Sequence, residues 1–132
     1  MSGIGEGRLI LIVEDNDKNL KLARDVLRFH GFRTVEATAG EQGIELARAQ
    51  LPDLILMDIA LPGMDGIAAT RQLKTEQPTT GIPVVALTAS VTRMDRARLD
   101  EVGFAGVISK PIDILKFSEQ VLAYCDGTGE GI

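Results

Sequence analysis

The chain reads as one α/β domain: a doubly wound, five-stranded parallel sheet covered by five helices. Three observations predict it. Short apolar runs recur five times along 132 residues, and each is followed by a segment with helical periodicity. Several runs are apolar at every position rather than at alternate ones, as strands buried on both faces are. The length suffices for one hydrophobic core and not for two.

The strands are expected at 9-LILIV-13, 34-TVEA-37, 54-LILM-57, 84-VVAL-87 and 106-GVIS-109. The first helix is expected over 18–30. Leu20, Ala23 and Leu27 share one helical spacing and Leu22, Val26 and Phe29 a second, which gives a wide apolar stripe. Asn16 or Asp17 is placed to cap its start, His30 suits the negative end of its dipole, and Gly31 stops it. Four further helices are expected over 41–50, 65–76, 92–102 and 112–124, punctuated by Pro52, Pro78 and Gly103. Of the common doubly wound strand orders, 2-1-3-4-5 fits a five-stranded chain. Residues 8–124 form the expected folded unit, with flexible tails at 1–7 and 125–132.

Composition narrows the function. A 45% apolar, 4% aromatic chain has an aliphatic core, and its net charge of -5 comes from mixed signs, without the basic stripe that a nucleic-acid surface needs. No apolar run approaches the length of a membrane span, and MSGIGEGR lacks the apolar core of a signal peptide. A single cysteine, Cys125, excludes an internal disulfide and a multi-cysteine metal site. It has no basic or histidine neighbour in sequence to activate it. Cytoplasmic location follows as the expectation. The run 93-RMDRARLDE-101 fits a solvated helix face with local charge pairing.

The polar residues fall at strand ends. Glu14 and Asp15 end the first run, Asp58 the third, Thr88 the fourth and Lys110 the fifth. In a parallel sheet these reach one edge, where open α/β folds hold ligands. A lone carboxylate buried at such a point costs free energy unless it is paired. Three crowded carboxylates repel one another, which raises a pKa or recruits a hard cation such as Mg2+. Carboxylates, a divalent ion, a lysine and a threonine suit phosphoryl transfer, with an aspartate as nucleophile and an acyl phosphate as product. A calcium loop starting at Asp15 is excluded, because its twelfth position is Val26.

The motifs 14-EDN-16, 57-MDIALPGMDG-66, 88-TA-89 and 109-SKP-111, in this order and spacing, resemble the receiver domain of two-component response regulators, which has the flavodoxin/CheY-like fold. In the details 13-VEDN-16, 53-DLILMDIALPGMDG-66 and 109-SKPI-112, the chain is most similar to stand-alone DivK-type regulators and to receivers of hybrid kinases. The resemblance implies that Asp58 accepts a phosphoryl group, with Mg2+ held by Asp15, Asp58, the backbone carbonyl of Ala60 and, through water, Glu14. It assigns the Thr88 hydroxyl and the Ala89 backbone N–H to the phosphoryl oxygens. Lys110 would pair with Asp58, aimed by a cis bond to Pro111. The implied donor is a phosphohistidine of a sensor kinase or phosphotransfer protein. The implied output surface is helix 4, strand 5 and helix 5, with no catalysis beyond the domain's own phosphorylation and dephosphorylation. Ala60 and Ser90 match positions beside the hydrolytic water. Val107 departs from the pattern, standing where receivers carry a ring that turns inward. Phe104, three residues earlier, is expected on the opposite face of the strand.

Three other functions compete. An aspartate phosphohydrolase needs a second carboxylate at residue 60, which is Ala60. A flavodoxin needs a phosphate-binding loop where Glu14 and Asp15 would repel the phosphate. A receiver-shaped interaction module that ignores phosphorylation is favoured only by Val107.

Overall fold

The computed structural model describes residues 3–61, 63–89 and 93–127, apart from the side chains at 93 and 94. Strands and helices alternate: β1 Leu9–Val13, α1 Asp17–Phe29, β2 Arg33–Ala37, α2 Gly40–Gln50, β3 Leu54–Asp58, α3 Gly66–Thr75, β4 Val84–Thr88, α4 Arg93–Val102, β5 Gly106–Ser109 and α5 Phe117–Cys125. A 3-10 turn, Thr79–Gly81, precedes β4. All strand pairs are parallel, in the order β2-β1-β3-β4-β5.

Alternation along the three central strands divides their side chains between two cores. Ile10, Ile12, Leu54, Leu56, Val85 and Leu87 face α1 and α5, where Leu20, Leu27, Phe117 and Val121 meet them. Leu11, Val13, Ile55, Met57, Val84 and Ala86 face α2, α3 and α4. Every residue of β1, β3 and β4 is buried, which explains their unbroken apolarity. The strand order reverses between β1 and β3, and that switch point opens the crevice where the polar strand ends meet.

α1 begins and ends as its sequence dictates. Asn16 Oδ1 accepts the N–H of Asn19 at 3.0 Å. At the other end His30 is the cap residue, and Gly31 follows with φ of 89°, a conformation that suits glycine. The amides of Gly31 and Phe32 then close the helix on the carbonyls of Arg28 and Leu27. The expected stripe is narrower than the spacing implied: Leu20, Ala23 and Leu27 are buried, while Leu22 is 41% and Phe29 84% exposed.

α5 starts at Phe117, five residues later than the 112 expected. Asp113 is the reason. Its side chain accepts the N–H of Leu115, and its carbonyl those of Lys116 and Phe117, so a turn occupies the space first. At the N-terminus, Gly3–Gly7 does not simply trail away. The amides of Gly5 and Gly7 bond to the carbonyls of His30 and Gly31, and Gly5 lies flat on the Phe32 ring.

Leu51, at the end of α2, sits in the left-handed region with φ of 46°, and its N–H bonds to the Ala47 carbonyl. A residue with a Cβ is strained there by about 1–2 kcal/mol, and Leu51 is half exposed, so little burial offsets the strain. Leu51→Gly is predicted to raise the free energy of unfolding by about 0.5–1 kcal/mol. Urea denaturation checks this; an unchanged or lowered midpoint contradicts it.

Candidate functional site

Four elements deliver one cluster. Glu14 follows β1 and donates its backbone N–H to Ala37 of β2, which fixes its direction. Asp58 is the last residue of β3 rather than the first beyond it, so the sheet itself positions the carboxylate. Thr88 ends β4, one residue beyond Leu87, the partner of Asp58 in the register. Lys110 follows β5, its backbone N–H held by the Thr88 carbonyl at 2.8 Å.

The ammonium of Lys110 lies 2.7 Å from Glu14 Oε1 and 3.1 Å from Asp58 Oδ2. The other Asp58 oxygen accepts the backbone N–H of Ala60 at 2.9 Å, and Glu14 Oε2 accepts that of Asn16 at 3.3 Å. Glu14 is 1% and Asp58 3% exposed, whereas Asp15 stands in solvent at the mouth. Carboxylate oxygens of Glu14, Asp15 and Asp58 lie within 4.8 Å of one another, close enough to share one cation.

Two buried carboxylates with one lysine between them cannot both ionise freely. Burial, reinforced by the neighbouring Asp58, raises the pKa of Glu14 against the pull of Lys110. Burial also opposes ionisation of Asp58, but hydrogen bonds from Glu14, the Ala60 N–H and Lys110 outweigh it and lower its pKa. Of the two carboxyls, Glu14 is therefore the weaker acid and Asp58 the stronger. Lys110 loses solvation, yet the two carboxylates raise its pKa and keep it charged.

Residues 10–122 match the response regulator receiver domain. The DivK polar-differentiation response regulator of Brucella ovis is 41% identical over 115 residues, 87% of this chain and 94% of that protein.

The chain belongs to the response regulator receiver family.

Among solved structures, the receiver domain of a Pseudomonas aeruginosa PAO1 sensor histidine kinase, with a magnesium ion coordinated in its active-site cleft, superposes with a TM-score of 0.82 at 33% identity. The alignment covers 92% of this chain and 98% of that one. The chemotaxis protein CheY4 of Vibrio cholerae shares the fold at a TM-score of 0.84 and 19% identity, over 87% of this chain and 96% of its own. The chain is thus a CheY-like receiver of two-component signal transduction.

The receiver brings Glu14, Asp15, Asp58 and Lys110 together as the sequence predicted, with Thr88 and Ala89 at the end of the adjoining strand. The Lys110–Pro111 peptide is cis. Ser90 lies outside the described residues. Val107 is half-buried against the α4 face of the core, and Phe104, expected on the other face, belongs to the same cluster. Strand alternation does not govern Phe104, because it precedes β5 in a turn closed by Gly103, with its N–H on the Leu99 carbonyl.

Gly66 also shapes the site. A Cβ there would lie 2.1 Å from the Asp58 carbonyl oxygen and 2.7 Å from Ile59 Cα. Its bare backbone lets α3 sit directly on the peptide that carries Asp58, with Asp65 capping the helix. A glycine in the first helical turn, where most residues favour helix more, was the available signal.

The raised pKa of Glu14 fixes the sign of a pH effect. A carboxyl whose folded pKa exceeds its unfolded value adds stability below the unfolded value and loses it as pH rises through the folded one. Glu14→Gln removes that loss. In chelator, the variant is predicted to match wild type near pH 4 and to become the more stable as pH approaches neutrality, read from urea midpoints. A difference independent of pH contradicts the assignment.

Proposed function

We propose that this receiver accepts a phosphoryl group on Asp58 from a phosphohistidine of a sensor kinase or phosphotransfer protein, in a Mg2+-dependent reaction, and signals by binding another protein. The observation that carries this reading is the Lys110 ammonium placed between a buried Asp58 and Glu14, beside the exposed carboxylate of Asp15. Three oxygen donors of this kind fit Mg2+, which takes few carboxylates and keeps waters. In this reading Asp15 and Asp58 hold the ion, with the Ala60 carbonyl, while Glu14 acts through water. When bound, the ion neutralises charge on phosphoryl oxygens.

In the transfer, an Asp58 oxygen forms the new O–P bond as the P–N bond to the donor histidine breaks. The electron pair leaves with an imidazole protonated at its other nitrogen. Lys110, already charged and aimed at Asp58, moves to the incoming phosphoryl group, with Thr88 and the Ala89 N–H as further donors. Pro111 fixes the start of the turn behind Lys110. Ala60 offers a small side chain beside the acyl phosphate, so water reaches it and the domain dephosphorylates itself; Ser90, the other position that the family pattern places by the hydrolytic water, is small as well. It turns over no other substrate.

The donor protein has an exposed apolar surface to meet. Leu22, Phe29, Ile114 and Leu115 are 41%, 84%, 54% and 86% exposed, on α1 and on the turn after Lys110. Downstream partners read α4, β5 and α5. The functional unit is 8–124, working in the cytoplasm with its kinase; among the described residues no helix is long and apolar enough to cross a membrane. Val107 favours a second reading, an interaction module insensitive to phosphorylation, because an aliphatic side chain wedged in the core has no ring to swing.

Intact-mass measurement after incubation with acetyl phosphate separates the two. One added phosphoryl group is expected for wild type with Mg2+, and none without Mg2+ or for Asp58→Asn. With a phosphorylated histidine phosphotransfer protein as donor, Leu115→Ser is expected to slow only that protein-dependent transfer. No adduct under rapid quenching would establish the module instead.

A further inference from the structure

A cleft of about 560 Å3 separates α3 from α4 on the face away from α1 and α5. Arg71, Lys74 and Thr75 line it from α3, and Arg98, Glu101 and Val102 from α4. The spacing i, i+3, i+4 on both helices turns one stripe of each toward the same groove. Three cations and one carboxylate give the cleft a local charge of about +2 in a chain whose net charge is -5.

These charges do not neutralise one another. Among the described residues, the side chains of Arg71, Arg98 and Glu101 have no ion-pair or hydrogen-bond partner. This contrasts with Arg8, Arg24, Arg28 and Arg48, each of which pairs with a carboxylate. Lys74 is fixed. Its half-buried ammonium donates to the carbonyls of Ile82 at 2.6 Å and Thr80 at 3.3 Å, and its stem runs past Gly103, where a Cβ would come within 3.1 Å. Burial lowers its pKa, with no carboxylate to compensate.

We propose that this cleft binds a small phosphate-bearing molecule that also carries a hydroxyl or amino group. Two unpaired guanidiniums facing one groove match phosphate oxygens, which they take as paired N–H donors. Lys74 supplies fixed positive charge at the base. Glu101 accepts from the hydroxyl or amino group and weakens the binding of a bare polyanion. The volume lies within the roughly 300–1,000 Å3 typical of small-molecule sites. The site is separate from the Asp58 pocket and does not depend on phosphorylation there. It would nonetheless tie together α3, which rests on Asp58 through Gly66, and α4, which follows the Thr88 strand.

The test uses the intact chain bearing Asp58→Asn, in chelator, so that neither Mg2+ nor the acidic pocket contributes. Backbone amide NMR shifts are followed during titration with adenosine diphosphate and, separately, inorganic pyrophosphate. Saturable shifts confined to α3 and α4 are expected, tighter for the nucleotide, with affinity lowered about tenfold or more by Arg98→Ala or Arg71→Ala. Lys21→Ala on α1 should leave it unchanged. Shifts that do not saturate, spread over every basic surface, or survive the double arginine variant would overturn the proposal. So would the absence of a response to both probes in a chain whose amide spectrum stays folded.

Discussion

The position of Lys110 between Glu14 and Asp58 is the constraint on which the rest of the structure depends. Two carboxylates almost wholly removed from water have one ammonium to share, and neither can be relieved by moving outward, because the sheet ends at both. Burying unpaired charge costs several kcal/mol, so the sheet must be rigid enough to hold the cluster closed. It is built for that. The three central strands are buried on both faces, and helices cover each side. Residual negative charge at the mouth, where Asp15 meets solvent, is what a cation or a phosphoryl group and its ion would answer.

The fold was legible because its signals are local. Unbroken apolar runs give the buried strands, and Asn16, Gly31 and Gly103 mark helix ends with side chains or conformations suited to those positions. The cluster was legible because parallel strands bring their C-terminal ends to one edge, so its members could be listed without knowing a distance. What failed was context beyond one element. Period alone placed Leu22 and Phe29 in a core stripe, although only tertiary packing decides how wide the buried face is. Strand alternation placed Phe104 opposite Val107, although Phe104 lies in the turn before the strand. Asp113 delays α5 through side-chain bonds that compete with the helix.

The proposed functions fall on surfaces of different character. The acidic crevice sits at the switch point of the sheet, the exposed aliphatic and aromatic side chains stand on α1 and the turn after Lys110, and uncompensated arginines face each other across α3 and α4. Each is connected to Asp58 by a short physical path: Lys110 to the turn, Gly66 to α3, and β4 to α4. Val107 and Phe104 make the β5 side of this arrangement apolar, and the Lys110 N–H bonded to the Thr88 carbonyl ties the ends of β4 and β5 together beside Asp58.

The central claim is that crowding at the strand ends makes Glu14 the weaker acid of the pair, so that a bound cation lowers its pKa and displaces protons from it. Calorimetric titration with Mg2+ near pH 6, repeated in buffers of different ionisation enthalpy, counts the protons released. The account predicts that wild type releases more protons per ion than Glu14→Gln. Equal release from both proteins, or none from wild type despite Mg2+ binding, would contradict it.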